Sequence, residues 1–403
     1  MKLAVVLARF PRLSETFILR ELEGLRELGC EVTVYSLSAP TPSEAELVGN
    51  HGFEVVRRAA WPTVPVAARS LSALRNLLDL FVSGEGAISM ERLSDLRHVA
   101  TALGWAPDMA RRGIDWVHGH FAYVPSMVGL MCARILDRPF SFEAHAWDLW
   151  CTRDDALVAE LLEEARFAAV CTDYGRDYLL ARTPPALAGK THRIYHGLEL
   201  AKYPYADREP SDRLEVVAVG RLVEKKGFTT LLRACRKLLD DEPTLDLHCS
   251  LIGEGPLRPE LERLVASLVL SQQVTLTGAL PHAEVIERLR GASLCVVPSV
   301  VAQDGDRDGL PNVILEAGAL GVPLVATAVA AIPEFVQDRA TGRLVPQGDP
   351  AALAEAILET WQQPQAAAMR AQAARRLVEE QFDLSANVRQ LAALFVDNSR
   401  RQS

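Results

Sequence analysis

The chain has 403 residues, of which 49% are hydrophobic and 24% are charged, and its formal net charge is -9. The length exceeds the usual size of a single hydrophobic core, so we expect two domains. The negative balance argues against nucleic acid as the main partner. The apolar run at the N-terminus is too short for a signal peptide and no run approaches a spanning helix, so we expect a cytoplasmic protein. Seven scattered cysteines, never spaced as CxxC, predict neither disulfides nor zinc.

The first half of the chain predicts alternating strands and helices. It begins with a strand at Lys2–Ala8, a helix at Ser14–Leu28 and a strand at Glu31–Leu37. Further strands are expected at Ile114–His118, Pro139–Ala144, Phe167–Thr172 and His192–His196. This order is typical of a parallel α/β sheet.

Two segments of the first half allow two interpretations each. Ser14, Glu15 and Thr16 open the first helix, where they can cap it or contact a ligand. Between residues 57 and 112, eight arginines stand against five acidic residues and are interleaved with leucines. Such a basic amphipathic segment suits an anionic membrane surface or an anionic acceptor, but it is also compatible with an ordinary surface helix.

Polar residues follow the predicted strands of the first half. They are His118, His120, His145, Asp173 and His196. In open parallel sheets the ligand crevice lies beyond the carboxyl ends of the strands. A single histidine is more often structural, but several at one sheet edge favour a ligand site, and among these His145 is our first candidate.

The second half follows a polar linker at Glu199–Asp212 and repeats the α/β pattern. Strands are predicted at Leu214–Val219, Leu245–Ile252, Val274–Thr277, Leu294–Val297 and Arg343–Val345. Three helices close the chain, at Pro350–Trp361, Pro364–Glu380 and Leu384–Ser399.

The stretch Asp308–Thr327, with the sequence DGLPNVILEAGALGVPLVAT, predicts a turn, a helix and a buried strand. Gly309 permits the turn, and Pro311 suits the first helical position. The free amides of a helix N-terminus can bind an anion, whereas the carboxylates of Asp308 and Glu316 can accept hydrogen bonds from hydroxyls. Together they suit a ligand with phosphate and sugar hydroxyls, which describes a nucleotide sugar.

Three glycine-containing loops follow other strands of the second half. In GRLVEKKG, Arg221 and Lys226 can neutralise a diphosphate without metal. GEGP and TGAL are turns that let a flat base approach the backbone, although glycine after a strand is commonly only a turn. Asp304, Asp306 and Asp308 resemble the start of a calcium loop, but its twelfth position holds Leu315, so we expect neither calcium nor a DxD manganese site.

At this point several motifs resemble one known family, the retaining glycosyltransferases of family 4 with the GT-B fold. GRLVEKKG is similar to the phosphate-binding motif of that family, and DGLPNVILE resembles its E-x7-E motif with Asp308 in the first acidic position. FPRLSETFI, HGHF and FEAHAWD resemble its exopolysaccharide branch, the colanic-acid-type transferases.

The resemblance implies two Rossmann-like doubly wound parallel-sheet domains facing a central cleft. It implies an acceptor domain at 1–205, a nucleotide-sugar domain at 206–383 and, at 384–403, a helix that returns to the first domain. It also implies a cytoplasmic enzyme that can associate peripherally with the inner membrane face and that transfers a hexose with retention to a lipid-linked or soluble saccharide. No metal is expected. UDP is the first choice for the nucleotide of the donor, and GDP is the next.

The resemblance also implies roles for residues. The catalytic residues would be His145, Asp308, Arg221 and Lys226. The donor would be bound by Gly220, Gly253, Gly255, Leu257, Gly278, Leu280, Gly309, Leu310, Pro311, Asn312 and Glu316. The acceptor would be bound by Ser14, Glu15, Thr16 and His120.

Two departures from the family pattern affect these roles. Asp308 is shorter than the usual glutamate, and the first loop, ARFPRLSE, lacks a double glycine. Other functions compatible with the sequence are a GT-B-like phosphorylase or epimerase, a sugar-binding protein of two lobes, and an inactive scaffold. The sequence identifies neither the sugar, the linkage nor the acceptor.

Overall fold

The computed structural model describes residues 1–12, 15–42, 44–45, 51–58, 90–151, 154–206 and 212–399, with the backbone alone over 90–96. The chain divides into two compact units. The first contains Met1–Cys171, Arg176–His196 and Asn387–Ser403, and the second contains Thr172–Gly175 and Gly197–Ala386. The predicted Ser14 and most of the predicted basic segment lie outside the described residues.

The first unit is built on a seven-stranded parallel sheet in the order β3-β2-β1-β4-β5-β6-β7. Its strands are β1 Lys2–Arg9, β2 Glu31–Ser38, β3 Glu54–Arg57, β4 Trp116–His120, β5 Phe140–Ala144, β6 Phe167–Val170 and β7 Thr191–Arg193. β4 and β5 are buried along their whole length, because helices cover both faces of a parallel sheet.

The helices of the first unit include Thr16–Glu27, Met90–Arg112, Val124–Leu136, Trp147–Trp150 and Asp155–Glu164, and a 3-10 turn at Pro185–Lys190. The helix Asp173–Leu180 begins in the second unit and continues into the first, and the last helix, Leu384–Ser399, does the same. In the first unit, Phe395 of the last helix packs edge-on against Trp116 and Phe167.

The second unit is built on a six-stranded parallel sheet in the order β10-β9-β8-β11-β12-β13. Its strands are β8 Leu214–Val219, β9 Leu247–Ile252, β10 Val274–Gly278, β11 Leu294–Val297, β12 Leu324–Thr327 and β13 Arg343–Val345. Its helices are Phe228–Asp241, Arg258–Ser267, His282–Gly291, Asn312–Leu320, Ile332–Phe335, Pro350–Gln362 and Pro364–Gln381, with 3-10 turns at Leu200–Lys202 and Glu224–Lys226. The predicted pair of doubly wound parallel sheets is therefore confirmed.

In each unit the strand order reverses once. The reversal lies between β1 and β4 in the first sheet and between β8 and β11 in the second. Such a switch point opens a crevice beyond the carboxyl ends of the two strands, where ligands of open α/β sheets bind. HGHF lies at the end of β4, GRLVEKKG follows β8, and the approach to Asp308 follows β11. The residues that the motifs indicated therefore lie at the switch points of the two sheets.

β3 and the short helix Trp147–Trp150 were not predicted. The helix Met90–Arg112 lies within residues 57–112, where a surface helix was one of the interpretations. The placement of Pro311 at the first helical position was wrong, because Pro311 has an extended backbone with ψ 130° and the helix begins at Asn312. Within the part of the chain that the structure describes, no helix has the length and apolarity needed to cross a bilayer.

Candidate active site

The loop after β8 packs against the loop after β11 in the second unit. Gly227 ends the first of these loops with φ 64°, and a Cβ at this position would lie 1.8 Å from the carbonyl oxygen of Pro298. The backbone amide of Val300 donates to the carbonyl of Lys225 at 2.9 Å. Glycine is thus required at 227, both by the left-handed backbone and by the close approach.

This contact brings two lysines to two aspartates. Lys226 Nζ lies 2.8 Å from Asp308 Oδ2, and Lys225 Nζ lies 3.0 Å from Asp306 Oδ2. Ser299 Oγ donates to Asp308 Oδ2 at 3.0 Å. Asp308 is only 9% exposed, and these partners satisfy its buried oxygens. The predicted phosphate-binding lysine is therefore paired with the predicted sugar-binding aspartate.

Gly220 and Arg221 follow β8 directly. A Cβ at Gly220 would lie 3.0 Å from the Cδ and Cε atoms of Lys226, so this glycine leaves room for the lysine stem. The Arg221 side chain is exposed, and among the described residues no side chain or carbonyl pairs with its guanidinium. Arg221 is therefore available to bind an anion at the carboxyl end of the strand.

Glu316 lies in the middle of the buried helix Asn312–Leu320. Its Oε1 accepts hydrogen bonds from the hydroxyl of Tyr203 at 3.2 Å and from Nε2 of His282 at 3.1 Å. Tyr203 is fully buried, and its carbonyl accepts a hydrogen bond from Arg375 at 2.7 Å. The carboxylate is thus held in one orientation. No described residue donates to its Oε2, which can accept a ligand hydroxyl.

The N-terminus of the same helix lacks a side-chain cap, so its first amides can bind an anion. The residues leading into it, Gly309 and Leu310, form a bend. The positive φ in this loop, 88°, belongs to Gly305. Asn312 is the first helical residue and is half-buried.

The GEGP and TGAL turns lie beside the loop after β8. A Cβ at Gly253 would lie 2.0 Å from the Gly220 carbonyl oxygen, and one at Gly255 would lie 2.5 Å from that of Leu222. The Gly253 amide donates to the Gly278 carbonyl at 2.9 Å. These glycines therefore allow loops to pack on loops, whatever else they bind. Leu257 donates its amide to the Leu222 carbonyl at 3.0 Å, and Leu280 is half-buried.

The first unit brings four histidines together. His120 Nδ1 lies 3.3 Å from His145 Nε2, and His145 Nδ1 lies 3.1 Å from His196 Nε2. His118 packs edge-on against His120 and hydrogen-bonds to Ser141 at 2.6 Å. His118, His120 and His145 are at most 4% exposed, whereas His196 is half-buried. Asp173, by contrast, belongs to the second unit, where its amide donates to Glu334.

Two buried carboxyl groups adjoin this histidine row. Glu21 Oε1 lies 3.5 Å from His120 Nε2, and Glu143 Oε2 lies 3.7 Å from His120 Nδ1. Burial raises the pKa of Glu143 to about 7 and that of Glu21 well above its usual range. Burial also lowers the pKa of His118 to about 3 and that of His145 well below its usual value, so the histidines are neutral at pH 7.

These side chains form two groups that can hold a metal ion. One is His120, Glu143 and His145, and the other is His145, Cys171 and His196. In each group the donor atoms lie within 4.8 Å of one another. Imidazole, carboxylate and thiolate are the usual ligands of zinc and related metals. The first group is fully buried, whereas Cys171 and His196 leave the second partly open.

Asp148 positions the loops that hold the histidines, and sequence reasoning missed it. The carboxylate is fully buried and accepts hydrogen bonds from the amides of Ala122 at 2.7 Å, His145 at 3.1 Å and Ala146 at 3.0 Å. It therefore ties the loop after β4 to the loop after β5. Its place in HAWD, three residues after His145, was the available signal.

Of the predicted acceptor residues, Glu15 and Thr16 are described along with His120. Glu15 precedes the helix Thr16–Glu27, but its side chain makes no capping hydrogen bond. It pairs instead with Arg12, at 2.5 Å between Nη1 and Oε1. The capping interpretation was therefore wrong for Glu15, whose carboxylate faces a guanidinium rather than the helix amides.

Comparison with known proteins gives a consistent result. Residues 213–363 match the family model described as glycosyl transferases group 1. The chain is 25% identical to the colanic acid biosynthesis glycosyltransferase WcaL of Escherichia coli K12, over 98% of this chain and 99% of WcaL. It is 34% identical to the amylovoran biosynthesis glycosyltransferase AmsK of Erwinia amylovora, over 49% of this chain and 48% of AmsK. The solved structure of Anabaena Alr3699/HepE in complex with UDP matches with a TM-score of 0.77 and 18% identity, over 98% of this chain and 100% of that one.

The chain is a GT-B glycosyltransferase. The likeness to HepE concerns the fold alone at this identity. In this glycosyltransferase the second unit contains Arg221, Lys226, Asp308 and Glu316, whereas the first unit contains His145 and the other histidines. Sequence reasoning did not find Tyr203 and His282, which orient Glu316, because both lie far from it in the chain and carry no motif.

Proposed function

We propose that this glycosyltransferase moves a hexose, with retention of configuration, from a nucleoside diphosphate sugar to a saccharide acceptor in exopolysaccharide assembly. The observation that carries the proposal is that the second unit contains the exposed guanidinium of Arg221, the ammonium of Lys226 beside the carboxylate of Asp308, and the carboxylate of Glu316. Cations suit a diphosphate, and carboxylates suit the hydroxyls of ribose and hexose.

Donor binding exchanges the partners of Lys226. The diphosphate takes the ammonium group from Asp308, and Arg221 and the first amides of the helix Asn312–Leu320 add to the charge. Asp308, released from the lysine, accepts a hydrogen bond from the hexose, and Glu316 accepts one from the ribose. The positive groups then stabilise the diphosphate as it departs.

The bond changes balance within the substrates. The bond from the anomeric carbon to the phosphate oxygen breaks, and a bond to the acceptor oxygen forms on the same face of the sugar. The acceptor proton passes to the departing phosphate oxygen. The products are a nucleoside diphosphate and a lengthened saccharide. His145 keeps the role that the family resemblance implies, next to the anomeric centre.

We propose UDP as the nucleotide of the donor, with GDP as the second choice. Two solved structures with this fold, of Anabaena Alr3699/HepE, contain UDP or UDP-glucose. One relative, 32% identical over 48% of this chain, is named as a GDP-mannose-dependent mannosyltransferase. The relatives named for colanic acid and amylovoran support a saccharide acceptor of that class. We propose that it is lipid-linked and met at the inner membrane face, on the support of the basic composition of residues 57–112.

We further propose that transfer requires no metal, because Arg221, Lys225 and Lys226 supply the positive charge that a divalent ion would bring to a diphosphate. The metal-free proposal can be tested with a chelator, because the first unit contains two groups of side chains that can hold a metal ion. Chelation must leave donor binding in the second unit unchanged.

The proposal is tested by thermal unfolding with UDP, GDP, ADP and free hexoses, each with and without EDTA. A ligand at 100 times its dissociation constant stabilises the folded protein by about 2.7 kcal/mol. We expect stabilisation by one nucleoside diphosphate, unchanged by EDTA and lost in Arg221→Ala. The matched control is Arg233→Ala, which removes an exposed arginine from the helix Phe228–Asp241.

Other outcomes point to other functions. Stabilisation by free hexose alone would indicate a sugar-binding protein. A requirement for inorganic phosphate in sugar turnover would indicate a phosphorylase, and sugar isomerisation without acceptor would indicate an epimerase. Stabilisation by nucleotide that disappears with EDTA would contradict the metal-free mechanism.

A further inference from the structure

Three aromatic side chains form a row in the first unit, which we call the aromatic row: Phe121, Tyr123 and Trp147. The ring centroids of Phe121 and Tyr123 are 5.9 Å apart, and those of Tyr123 and Trp147 are 5.8 Å apart, both edge-to-face. At its inner end Phe121 lies 4.5 Å from the ring of His145. The row thus runs from the histidine cluster to the surface, where Trp147 is 48% exposed.

The backbone holds the row in place at a conformational cost. Phe121 has φ 72°, in the left-handed region that bulky residues rarely adopt. Its amide donates to the Glu143 carbonyl at 2.8 Å, and its carbonyl accepts from Ser126 Oγ at 2.6 Å. Strain of this kind persists only where the surrounding structure imposes it, and it occurs most often at functional sites.

Asp148 fixes the two ends of the row relative to each other. Its carboxylate accepts the amide of Ala122, between the first two rings, at 2.7 Å. Asp148 is also the second residue of the short helix that begins at Trp147. The exposed tryptophan is therefore not a scattered surface residue, which would need no explanation. It belongs to a positioned surface that ends on His145.

Charged groups accompany the aromatic row. Phe17, two residues after Glu15, has its ring 5.1 Å from that of His145 at the inner end of the row, and Glu15 pairs with Arg12. Burial and the charges of Glu15 and Asp148 raise the pKa of the Tyr123 hydroxyl to about 12. An exposed aromatic ring accompanied by an ion pair matches a sugar ring, which has an apolar C–H face and a rim of hydroxyls. It matches a lipid chain poorly, because the chain would desolvate the ion pair without compensating hydrogen bonds.

We propose that the aromatic row is the acceptor subsite of this glycosyltransferase. A saccharide ring stacks its C–H face on the exposed Trp147, which Tyr123 supports edge-to-face, and its hydroxyls bond to Glu15 and Arg12. The chemical class of the ligand is thus a pyranose with one unhindered C–H face. The inference rests on the proposed function, to which it adds the residues that bind the acceptor.

The direct test is fluorine NMR of the protein labelled with fluorotryptophan. The chain has six tryptophans, and the Trp147 resonance is identified by its absence from Trp147→Phe. Methyl glycosides of glucose, galactose and fucose are titrated, and decyl phosphate micelles serve as the lipid probe. We expect the Trp147 resonance to shift with at least one glycoside. The proposal is overturned if the Trp147 resonance shifts with micelles alone or does not shift with any probe.

Variants supply the second arm. Trp147→Ala should weaken glycoside binding about tenfold, because stacking and burial of an aromatic face are lost, whereas Trp147→Phe keeps a ring and most of the affinity. The control is Val269→Ala, which removes an apolar side chain that is 76% exposed in the second unit. Equal affinity of Trp147→Ala and the unaltered protein overturns the proposal.

The same samples separate this inference from the proposed function. Nucleoside diphosphates are added in a parallel thermal titration of the unaltered protein. If no nucleotide binds while a glycoside still shifts Trp147, the donor assignment fails and the aromatic row remains a saccharide site. If a nucleotide binds and no glycoside shifts Trp147, the aromatic-row proposal alone is wrong.

Discussion

Asp308 has two alternative partners, Lys226 in the structure and the donor sugar in the proposed mechanism. It pairs with Lys226 at 2.8 Å, and in the proposed mechanism it releases that lysine to the donor diphosphate. Under that proposal the exchange costs the energy of a partly buried ion pair, which the interaction of the lysine with the diphosphate offsets. The same carboxylate would then contact the sugar.

This exchange predicts opposite effects of one substitution. Asp308→Asn removes the charge that competes for Lys226, so UDP alone should bind about fivefold more tightly, since breaking such a pair costs on the order of 1 kcal/mol. Sugar transfer should fall, because the asparagine is a weaker acceptor for a sugar hydroxyl. Titration calorimetry with UDP measures the first effect.

The matched variant is Asp306→Asn, whose partner is Lys225 rather than Lys226. It should change UDP affinity less than Asp308→Asn does. Weaker UDP binding by Asp308→Asn would mean that Lys226 does not bind the diphosphate and that the ion pair only holds the loop.

Residues in motifs could be predicted, and their partners could not. Arg221, Lys226, Asp308 and Glu316 were found because loop and helix chemistry limits what such residues can do at a strand end. Their roles stay predictions until a ligand is bound. Asp148, which accepts three backbone amides, was missed because such partners are set by the path of two loops and leave no periodic signal.

Among the elements, the junction between the loop after β8 and the loop after β11 depends most on one position. Gly227→Ala would place a methyl group against the Pro298 carbonyl and keep φ at 64°. We expect the free energy of unfolding to fall by about 2–4 kcal/mol. Denaturant unfolding measures this loss.

Gly291→Ala is the control for this element. A Cβ at Gly291 meets no atom within 4 Å, and the residue ends the helix His282–Gly291 in the same unit. Its stability should change by less than about 1 kcal/mol. An equally small effect at Gly227 would show that the two loops can separate without cost.

Helices and strands with strong periodicity were predicted within a few residues, and Leu214–Val219, Leu294–Val297 and Leu384–Ser399 were predicted with the bounds that the structure has. The short helix Trp147–Trp150 was not, because four residues carry no period and its start depends on Asp148. The helix was predicted to begin at Pro311, one residue before its actual start at Asn312. Proline is common at the first helical position, which favoured the earlier start.

For the whole molecule, composition and the alternation of strands and helices were enough to predict two parallel α/β units. The last helix was expected to return to the first domain, and Asn387–Ser403 do belong to the first unit. The second unit also takes Thr172–Gly175 from within the first half, and this exchange was not predicted. It depends on how helices cover exposed sheet faces, which a single segment does not encode.

The functional assignment also depends on the whole chain. Full-length similarity to WcaL and the group 1 match at residues 213–363 agree on the enzyme class, and the proposed donor groups of the second unit agree with both. The proposed donor and acceptor residues fall in different units, so donor binding and acceptor binding can be tested separately.

The most direct measurement of the central claim is proton NMR of a nucleotide sugar turned over by the protein. UDP-glucose, UDP-galactose and GDP-mannose are each incubated with membrane-extracted lipid-linked saccharides, and the anomeric signals are followed. We predict that one donor is consumed and that the transferred sugar keeps the donor's anomeric configuration in the first product. Arg221→Ala should abolish donor consumption, whereas EDTA should not. Consumption with inversion, or no consumption of any donor by a protein that binds no nucleotide, would contradict the central claim.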